Sequence, residues 1–432
     1  MIIKSSSSTT GYTVDDTLAC WPQPDEGFSV PYSLFTEDDV YIAEQERIFR
    51  GDTWSFVALE QEIPSSGDFK STFIGDTPVI VMRDEEGSVN VVVNRCAHRG
   101  AKVCRSLRGN VANLECVYHS WAYNLKGDLI GVPFRRGLKG KGGMPEGFDM
   151  KQHSLQALRV ATINGLVFAT FSTSVAELET YLGPMACKAI ARIFNRPIKI
   201  LGDERQRIYG NWKLYAENTR DPYHASLLHL FHTTFGLYRS TQTGVCVMDD
   251  NRCHSMLTAK AGSTSDAEDA EAYADQRAFN TEFTLQDPSL LKGRLEFEDE
   301  VTLVILALFP NLVVQQIANT LAVRQIVTYG AGEFELVWTS FSYEDDDAEM
   351  QSIRLKQNNL IGPAGLISME DGEAVELAHD GVQRDQDKSS YIGMGGGRSE
   401  DVDHLVTEGP IIGFWEFYQK IMNTEEALHL PE

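Results

Sequence analysis

The stretch "CAHRGAKVCRSLRGNVANLECVYH", residues 96–119, places Cys96 two positions before His98 and Cys116 three positions before His119. Two cysteines and two histidines can hold a single zinc tetrahedrally or an iron–sulfur cluster, and ligand type alone does not choose between them. Arrangement does. Zinc fingers usually pair cysteine with cysteine and histidine with histidine, whereas each knuckle here carries one of each. A [2Fe-2S] cluster of Rieske type takes two cysteines on one iron and two histidines on the other. Two mixed knuckles let Cys96 and Cys116 meet on one iron while His98 and His119 meet on the second, so the stretch reads as a Rieske centre.

The surroundings of the stretch fit that reading. From about 52 to 172 the chain runs in short alternating segments, "TPVIVMR", the turn "DEEG", "SVNVVVN", then "ECVYHSWAYNLKGDLIG" and "INGLVFATF". This is hairpin chemistry, and it predicts a small antiparallel β domain with both knuckles on loops at strand ends. Ahead of it, residues 1–36 look like an irregular arm, and "TEDDVYIAEQERIFRGD" (36–52) predicts a helix capped by Thr36 and stopped at Gly51. Beyond it, residues 175–198 read as helix and 206–235 as strand then helix. Residues 263–287 are acidic, rich in small residues and expected to be mobile. Residues 299–343 read as successive strands, 346–360 and 368–382 as helices, and a Gly-rich loop (393–397) precedes a final helix. The fold class is therefore α+β: an arm and helix over 1–51 packing with the larger domain, a Rieske domain over 52–172, and an antiparallel sheet with helices over 173–432.

Bulk composition narrows the function. A net charge of -24 over 432 residues argues against nucleic acid, whose binding relies on basic clusters. Runs such as "VTLVILALF" (301–309) fall short of the roughly 20 residues a membrane span needs, and the N-terminus lacks the order of a secretory signal, so a cytoplasmic protein is expected. Seven cysteines, an odd count, suit reduced thiols; Cys20, Cys104, Cys187, Cys246 and Cys253 have no partner motif nearby. Against the acidic background, residues 95–141 form a basic island that includes Arg95, Arg99, Lys102, Arg105, Arg135, Arg136, Lys139 and Lys141. Such an island suits docking of an acidic partner, although a solvated loop surface would look the same.

A Rieske cluster only moves electrons, and a chain this long has room for a place to use them. Oxygen activation at non-haem iron needs two histidines and one carboxylate that leave coordination positions open. "RDPYHASLLHLFH" (220–232) offers His224, His229 and His232 after Asp221-Pro222, an N-cap with proline at the first helical position. On spacing alone His229 and His232 make the better pair, because i,i+3 shares a helix face and i,i+5 is about 140° apart.

"NRCAHRG" and "CVYHSWAYNLKG", with "GDFKSTFIGDTPVIVMRD", "GVPFRRGLKGKGGMP", "NWKLYAENTRDPYHASLLH" and "LIGPAGLISMEDG", resemble the large (alpha) subunits of aromatic-ring-hydroxylating oxygenases. Among these the chain is most similar to enzymes acting on aromatic carboxylates, the salicylate hydroxylases and the terephthalate and anthranilate dioxygenases. The resemblance implies that a D-x-x-H-x4-H pattern falls on Asp221, His224 and His229, with both histidines binding a mononuclear Fe(II) and His232 an ordinary packing residue. For both to reach one metal from one helix, that helix should carry a distortion such as a π-type bulge. The segment "SMEDGEAVE" then selects Asp371 as the carboxylate ligand, over its neighbours Glu370 and Glu373. Asp221 would link a Rieske histidine of one subunit to an iron-ligand histidine of the next, which implies a ring of three alpha subunits, and a small beta subunit would complete an α3β3 assembly. Electrons would come from NADH through a reductase and a ferredoxin, and O2 would be the oxidant.

A pocket for a benzoate-like ring should be apolar with one fixed cation. In "NTLAVRQIV" (319–327) Arg324 shares a strand face with Ala322 and Ile326, which nominates it as carboxylate clamp; the competing expectation is a buried salt bridge to one of the many acids. The 263–287 segment is a candidate lid. Three rivals stand beside this reading: an oxygenase for non-carboxylated aromatics, a Rieske electron carrier without oxygen chemistry of its own, and a zinc-stapled binding module.

Overall fold

The computed structural model describes residues 28–423 together with Val14 and Trp21, so most of the expected arm over 1–36, Cys20 included, lies outside the described residues. The larger half is built on a seven-stranded antiparallel sheet. Its strands run in the order Ile198–Ile208, Glu333–Tyr343, Thr320–Gly330, Leu312–Ile317, Leu303–Leu308, Ser255–Ala259, Gly244–Met248. Strands such as "LVILAL" and "LVVQQI" are buried along their whole length, because helices and the neighbouring domain cover both faces. They accordingly read as continuous apolar runs and not as alternating ones.

The Leu366–Val382 helix buries Ile367, Ser368, Asp371, Gly372, Val375 and His379, a stripe at helical spacing. It follows the Ala348–Ile361 helix through "GPAG", where a Cβ on Gly365 would stand 2.2 Å from the Leu360 carbonyl oxygen. That close approach demands glycine, and the sharp reversal it permits aims Asp371 inward.

The smaller half holds three antiparallel sheets. Four strands order as Val89–Val93, Thr77–Arg83, Asp68–Ile74, Arg108–Asn110. Three order as Arg159–Ile163, Leu166–Thr170, Ser55–Leu59, and three short ones as Leu114–Glu115, Ala122–Tyr123, Leu129–Gly131. The mixed helix-and-sheet architecture, small β domain first, is the one the sequence predicts.

Several local expectations change. The helix expected from Thr36 begins at Asp38 and ends in a π turn, Gln45–Phe49. Thr36 does not cap it, since its hydroxyl donates back to the Tyr32 carbonyl. This helix is anchored to the larger half by Glu44, fully buried, which accepts from Trp212 Nε1 (2.8 Å), Lys213 Nζ (2.6 Å) and Tyr418 OH (2.6 Å). The segment expected to be mobile contains a helix, Asp266–Tyr273, with a Ser265/Glu268 capping box. Its Asp269 is buried and pairs with Arg239 at 2.5 Å. A charge taken out of water in this way holds the segment only while its partner stays in place. Among the described residues, no helix is long and apolar enough to cross a membrane.

Candidate functional site

The two knuckles form matched loops. In the first, Cys96 N–H donates to the Ala101 carbonyl and Gly100 N–H to the Cys96 carbonyl. In the second, Cys116 N–H donates to Trp121 and Ser120 N–H to Cys116. The fifth residue of each loop, Gly100 and Ser120, takes a positive φ, 74° and 52°, which turns the chain back on itself. Both cysteines are buried and both histidines half-exposed. The His98 and His119 rings stand 4.5 Å apart, and His98 stacks on Trp121 at 4.7 Å, nearly parallel. Tyr123 OH lies 3.2 Å from Cys96 Sγ and accepts the Ala97 N–H. Burial raises the Cys116 thiol, and burial with the neighbouring His119 lowers His98. Sulfurs inside and imidazoles outside is the segregation a two-iron cluster needs, so the four residues fit it.

The second site converges from two distant segments. Among the described residues, His224, His229 and Asp371 are a group whose ligand atoms all lie within 4.8 Å of one another. Asp371 Oδ1 is 3.4 Å from His224 Nε2 and 3.2 Å from His229 Nε2. The expected single bulged helix is instead two helices, Pro222–Leu228 and Leu230–Phe235, broken at His229 (φ -85°, ψ 96°). An extended residue at the break discards the 3.6-residue periodicity, and with it the angular objection to an i,i+5 pair.

Burial works against a charged imidazole at His224, yet Asp221 and Asp371 outweigh it and push it up to about 10. The same contest raises His229 and holds the Asp371 carboxyl well below the usual carboxylate range. Two imidazoles and one carboxylate form a donor set suited to a divalent iron with open positions, and a cation would compete with protons for those lone pairs. Asp221 does two jobs: Oδ1 caps the helix by accepting from Tyr223 and His224 N–H, and Oδ2 faces His224 Nδ1 at 3.4 Å.

A pocket of about 60 Å³ opens beside this group, walled by Leu257, Leu303, Ile305, Ile317 and Ile367 and carrying His232 and Arg324. His232, expected to be a packing residue, is buried but also lines the pocket, and its Nδ1 has no hydrogen-bond partner. Arg324 is buried with neutral partners: Nη1 donates to Tyr215 OH at 2.8 Å, Nη2 to the Gln315 amide oxygen, and the guanidinium sits 4.2 Å over Trp338. Its Nε is buried without a partner, and no carboxylate pairs with it, so the expected alternative of an internal salt bridge is absent among the described residues. No residue of 263–287 lines the pocket; that segment packs instead on the Leu230–Phe235 helix, through Thr234 with Ala278 and Asn280.

Residues that the sequence did not single out complete the site. Asn218 Nδ2 donates to Asp371 Oδ1 at 3.0 Å and lies 3.3 Å from His224 Nε2. Glu370, weighed only as a rival ligand, accepts from His229 Nδ1 at 2.8 Å. "WKLYAEN" gave one usable signal: Tyr215 and Asn218 share a helix face three residues apart, but nothing in the sequence names what they meet.

Residues 53–141 match the Rieske [2Fe-2S] domain, and residues 198–422 match the ring hydroxylating alpha subunit (catalytic domain). The chain is 52% identical to the anthranilate 1,2-dioxygenase large subunit of Burkholderia cepacia, covering 92% of this chain and 94% of that one. It is 45% identical to a terephthalate 1,2-dioxygenase terminal oxygenase alpha subunit of Comamonas sp (92% and 96% covered). To the large oxygenase component of a Ralstonia sp salicylate 5-hydroxylase it is 44% identical, again with 92% and 96% covered. Among solved structures, naphthalene 1,2-dioxygenase from Rhodococcus sp. superposes with a TM-score of 0.76 at 22% identity, over 91% of this chain and 94% of that one, which shows a shared fold.

Proposed function

The chain belongs to the ring-hydroxylating oxygenase alpha subunits, oxidoreductases with a Rieske [2Fe-2S] domain and a non-haem iron catalytic domain, and on that premise we propose that it hydroxylates the ring of an aromatic carboxylate. The observation that carries this reading is Arg324, a buried guanidinium beside the His/His/Asp group with no carboxylate of its own. A buried charge left unpaired is costly, whereas a substrate carboxylate would complete it with charge-assisted hydrogen bonds. Three relatives of high identity are described as acting on anthranilate, terephthalate and salicylate, all aromatic acids. The alternative of a non-carboxylated ring has support from a biphenyl dioxygenase alpha subunit, 37% identical over 45% of this chain, and from a Pseudomonas putida benzene 1,2-dioxygenase alpha subunit, 29% identical over 80% of it, both below the identity of the three relatives named for aromatic acids.

In this reading Cys96, His98, Cys116 and His119 would hold the cluster, and His224, His229 and Asp371 would hold Fe(II). Bound there, the cluster would supply electrons and the iron would supply activation of O2. The chain's own residues do the rest. The aliphatic wall of Leu303, Ile305 and Ile317 holds the ring and excludes water. Arg324, kept in place by Tyr215 and Gln315, fixes the carboxylate and so decides which ring carbon faces the metal. Asn218 and Asp221 orient the ligands. Asp221 would also link to a Rieske histidine of a neighbouring subunit, in a ring of three alpha subunits with small beta subunits. A cytoplasmic ferredoxin or NADH-dependent reductase would dock on the basic island, whose Arg95, Arg99, Arg105, Arg135 and Arg136 are exposed and whose His98 and His119 are half-exposed.

The test supplies the purified protein with reductase, NADH and a panel of benzoates and neutral arenes under labelled O2. Label appearing in hydroxylated aromatic acids is expected. Turnover of neutral arenes alone would replace the substrate class, and zinc in place of iron on metal analysis would remove the mechanism.

A further inference from the structure

Glu370 and Asp371 are consecutive on the Leu366–Val382 helix, so their side chains leave it about 100° apart. That offset lets them grip opposite edges of one ring. Asp371 Oδ1 lies 3.2 Å from His229 Nε2, and Glu370 Oε2 lies 2.8 Å from His229 Nδ1. A carboxylate can only accept, so Nδ1 must donate, and the tautomer that protonates Nδ1 leaves the Nε2 lone pair facing the metal position. His224 has the same plan in weaker form. Its Nδ1 faces Asp221 Oδ2 at 3.4 Å and makes no hydrogen bond, so the short contact on the ligand pair is the one at Glu370.

His229 sits at the break between two helices (φ -85°, ψ 96°), so its ring leaves the chain off the helical direction, although its N–H still donates to the Ala225 carbonyl and its own carbonyl accepts from Thr233. The ring is 3% exposed and shares its surroundings with the His232 ring, 5.3 Å away, which offers no acceptor contact. We propose that Glu370 is a positioning residue for the iron site, which fixes the tautomer and orientation of His229 through Nδ1 and makes Nε2 a stronger donor to the metal. The inference rests on the reading of His224, His229 and Asp371 as a metal site. Outer carboxylates of this kind typically change metal affinity by roughly 10- to 100-fold when removed.

The test measures anaerobic Co(II) and Fe(II) binding to the intact protein for wild type, Glu370→Gln and Glu370→Ala, with the reduced Rieske signal and Tm as controls of folding. Glutamine keeps an acceptor oxygen but not the charge. The expected order is wild type tightest, glutamine intermediate and alanine weakest by roughly 10- to 100-fold. A shift of the Co(II) visible bands should accompany that order while the Rieske signal stays unchanged. A general packing role would move Tm and leave the bands in place, and that outcome overturns the proposal. Equal affinity in all three proteins overturns it while leaving the metal site standing. A wild type that takes up no metal beyond the cluster removes both.

Discussion

Tyr215 and Asn218 stand three residues apart on the Trp212–Asn218 helix, and each holds a different working group: Tyr215 OH accepts from Arg324 at 2.8 Å, while Asn218 donates to Asp371 at 3.0 Å. One short helix thus sets the distance between the guanidinium and the His224, His229 and Asp371 group. A shift of that helix would move the proposed substrate clamp and the proposed metal site together.

Arg324→Gln should raise KM for aromatic carboxylates and lower kcat/KM by about 100-fold, the loss of one charge-assisted hydrogen-bonded pair worth about 3 kcal/mol. Tyr215→Phe removes a supporting bond from the charged guanidinium to a neutral hydroxyl, about 1.5 kcal/mol, so a fall of about tenfold is expected with iron content unchanged. Steady-state kinetics on a benzoate and on a neutral arene check this. Equal losses on both substrates would show that Arg324 does not read the carboxylate.

Asp221→Asn and Asp221→Ala separate the two jobs of that residue. Asparagine caps helices as well as aspartate, so Tm should hold, whereas alanine should cost about 1 kcal/mol. Both variants lose the charge that faces His224 and should lose turnover, with the Rieske cluster still reducible by dithionite. Full activity in the asparagine variant would leave Asp221 as a cap alone.

The Glu217 carboxyl is pushed up from its ordinary 4.5 to about 8 by burial and by Asp221, against the Trp415 N–H that lowers it. The folded chain therefore keeps a proton that the unfolded chain has released, and stability contributed by this group falls as pH rises from about 4.5 towards 8. Glu217→Gln stays neutral and can still accept from Trp415 Nε1, so it should flatten that part of the curve. Denaturant titrations at intervals from pH 5 to 9 compare the two proteins; parallel curves would clear Glu217 of the effect.

His254 gives the opposite limb. Burial pushes it down to about 4 despite Asp249, and the neutral ring accepts Phe309 N–H at Nδ1 and donates to the Tyr181 carbonyl at Nε2. The unfolded chain protonates first, so the contribution is complete above about 6.5 and lost as pH falls towards 4. His254→Gln should lower stability at pH 7 and weaken its acid dependence, as read by thermal melts at pH 5 and pH 7.5. An unchanged acid dependence would point elsewhere.

The two centres were unequally legible. Cys96, His98, Cys116 and His119 declare themselves because each knuckle is a local loop, closed by hydrogen bonds between residues four or five apart, so spacing along the chain is spacing in the fold. The His224, His229 and Asp371 group is not local. Helical periodicity favours His229 with His232, whereas the structure gathers His224 and His229 around Asp371, because the helix stops at His229, where ψ turns to 96°. Arg324 was placed by strand alternation, yet its partners Tyr215 and Gln315 come from a helix and a neighbouring strand that alternation does not specify. The family resemblance selects Asp371 over Glu370 but gives Glu370 no place of its own; the direction each leaves the helix sets one beside His229 Nδ1 and the other beside Nε2.

By itself the sequence determined the Rieske loops, the α+β order of the chain and the family to which it belongs, since short-range spacing and alternation carry that information. Which glutamate meets a histidine ring 141 positions away, and that a guanidinium sits buried without a carboxylate among the described residues, were decided by the tertiary structure alone. Those contacts depend on where one helix breaks and how another is aimed, and a direction in space set by packing leaves no period in the chain.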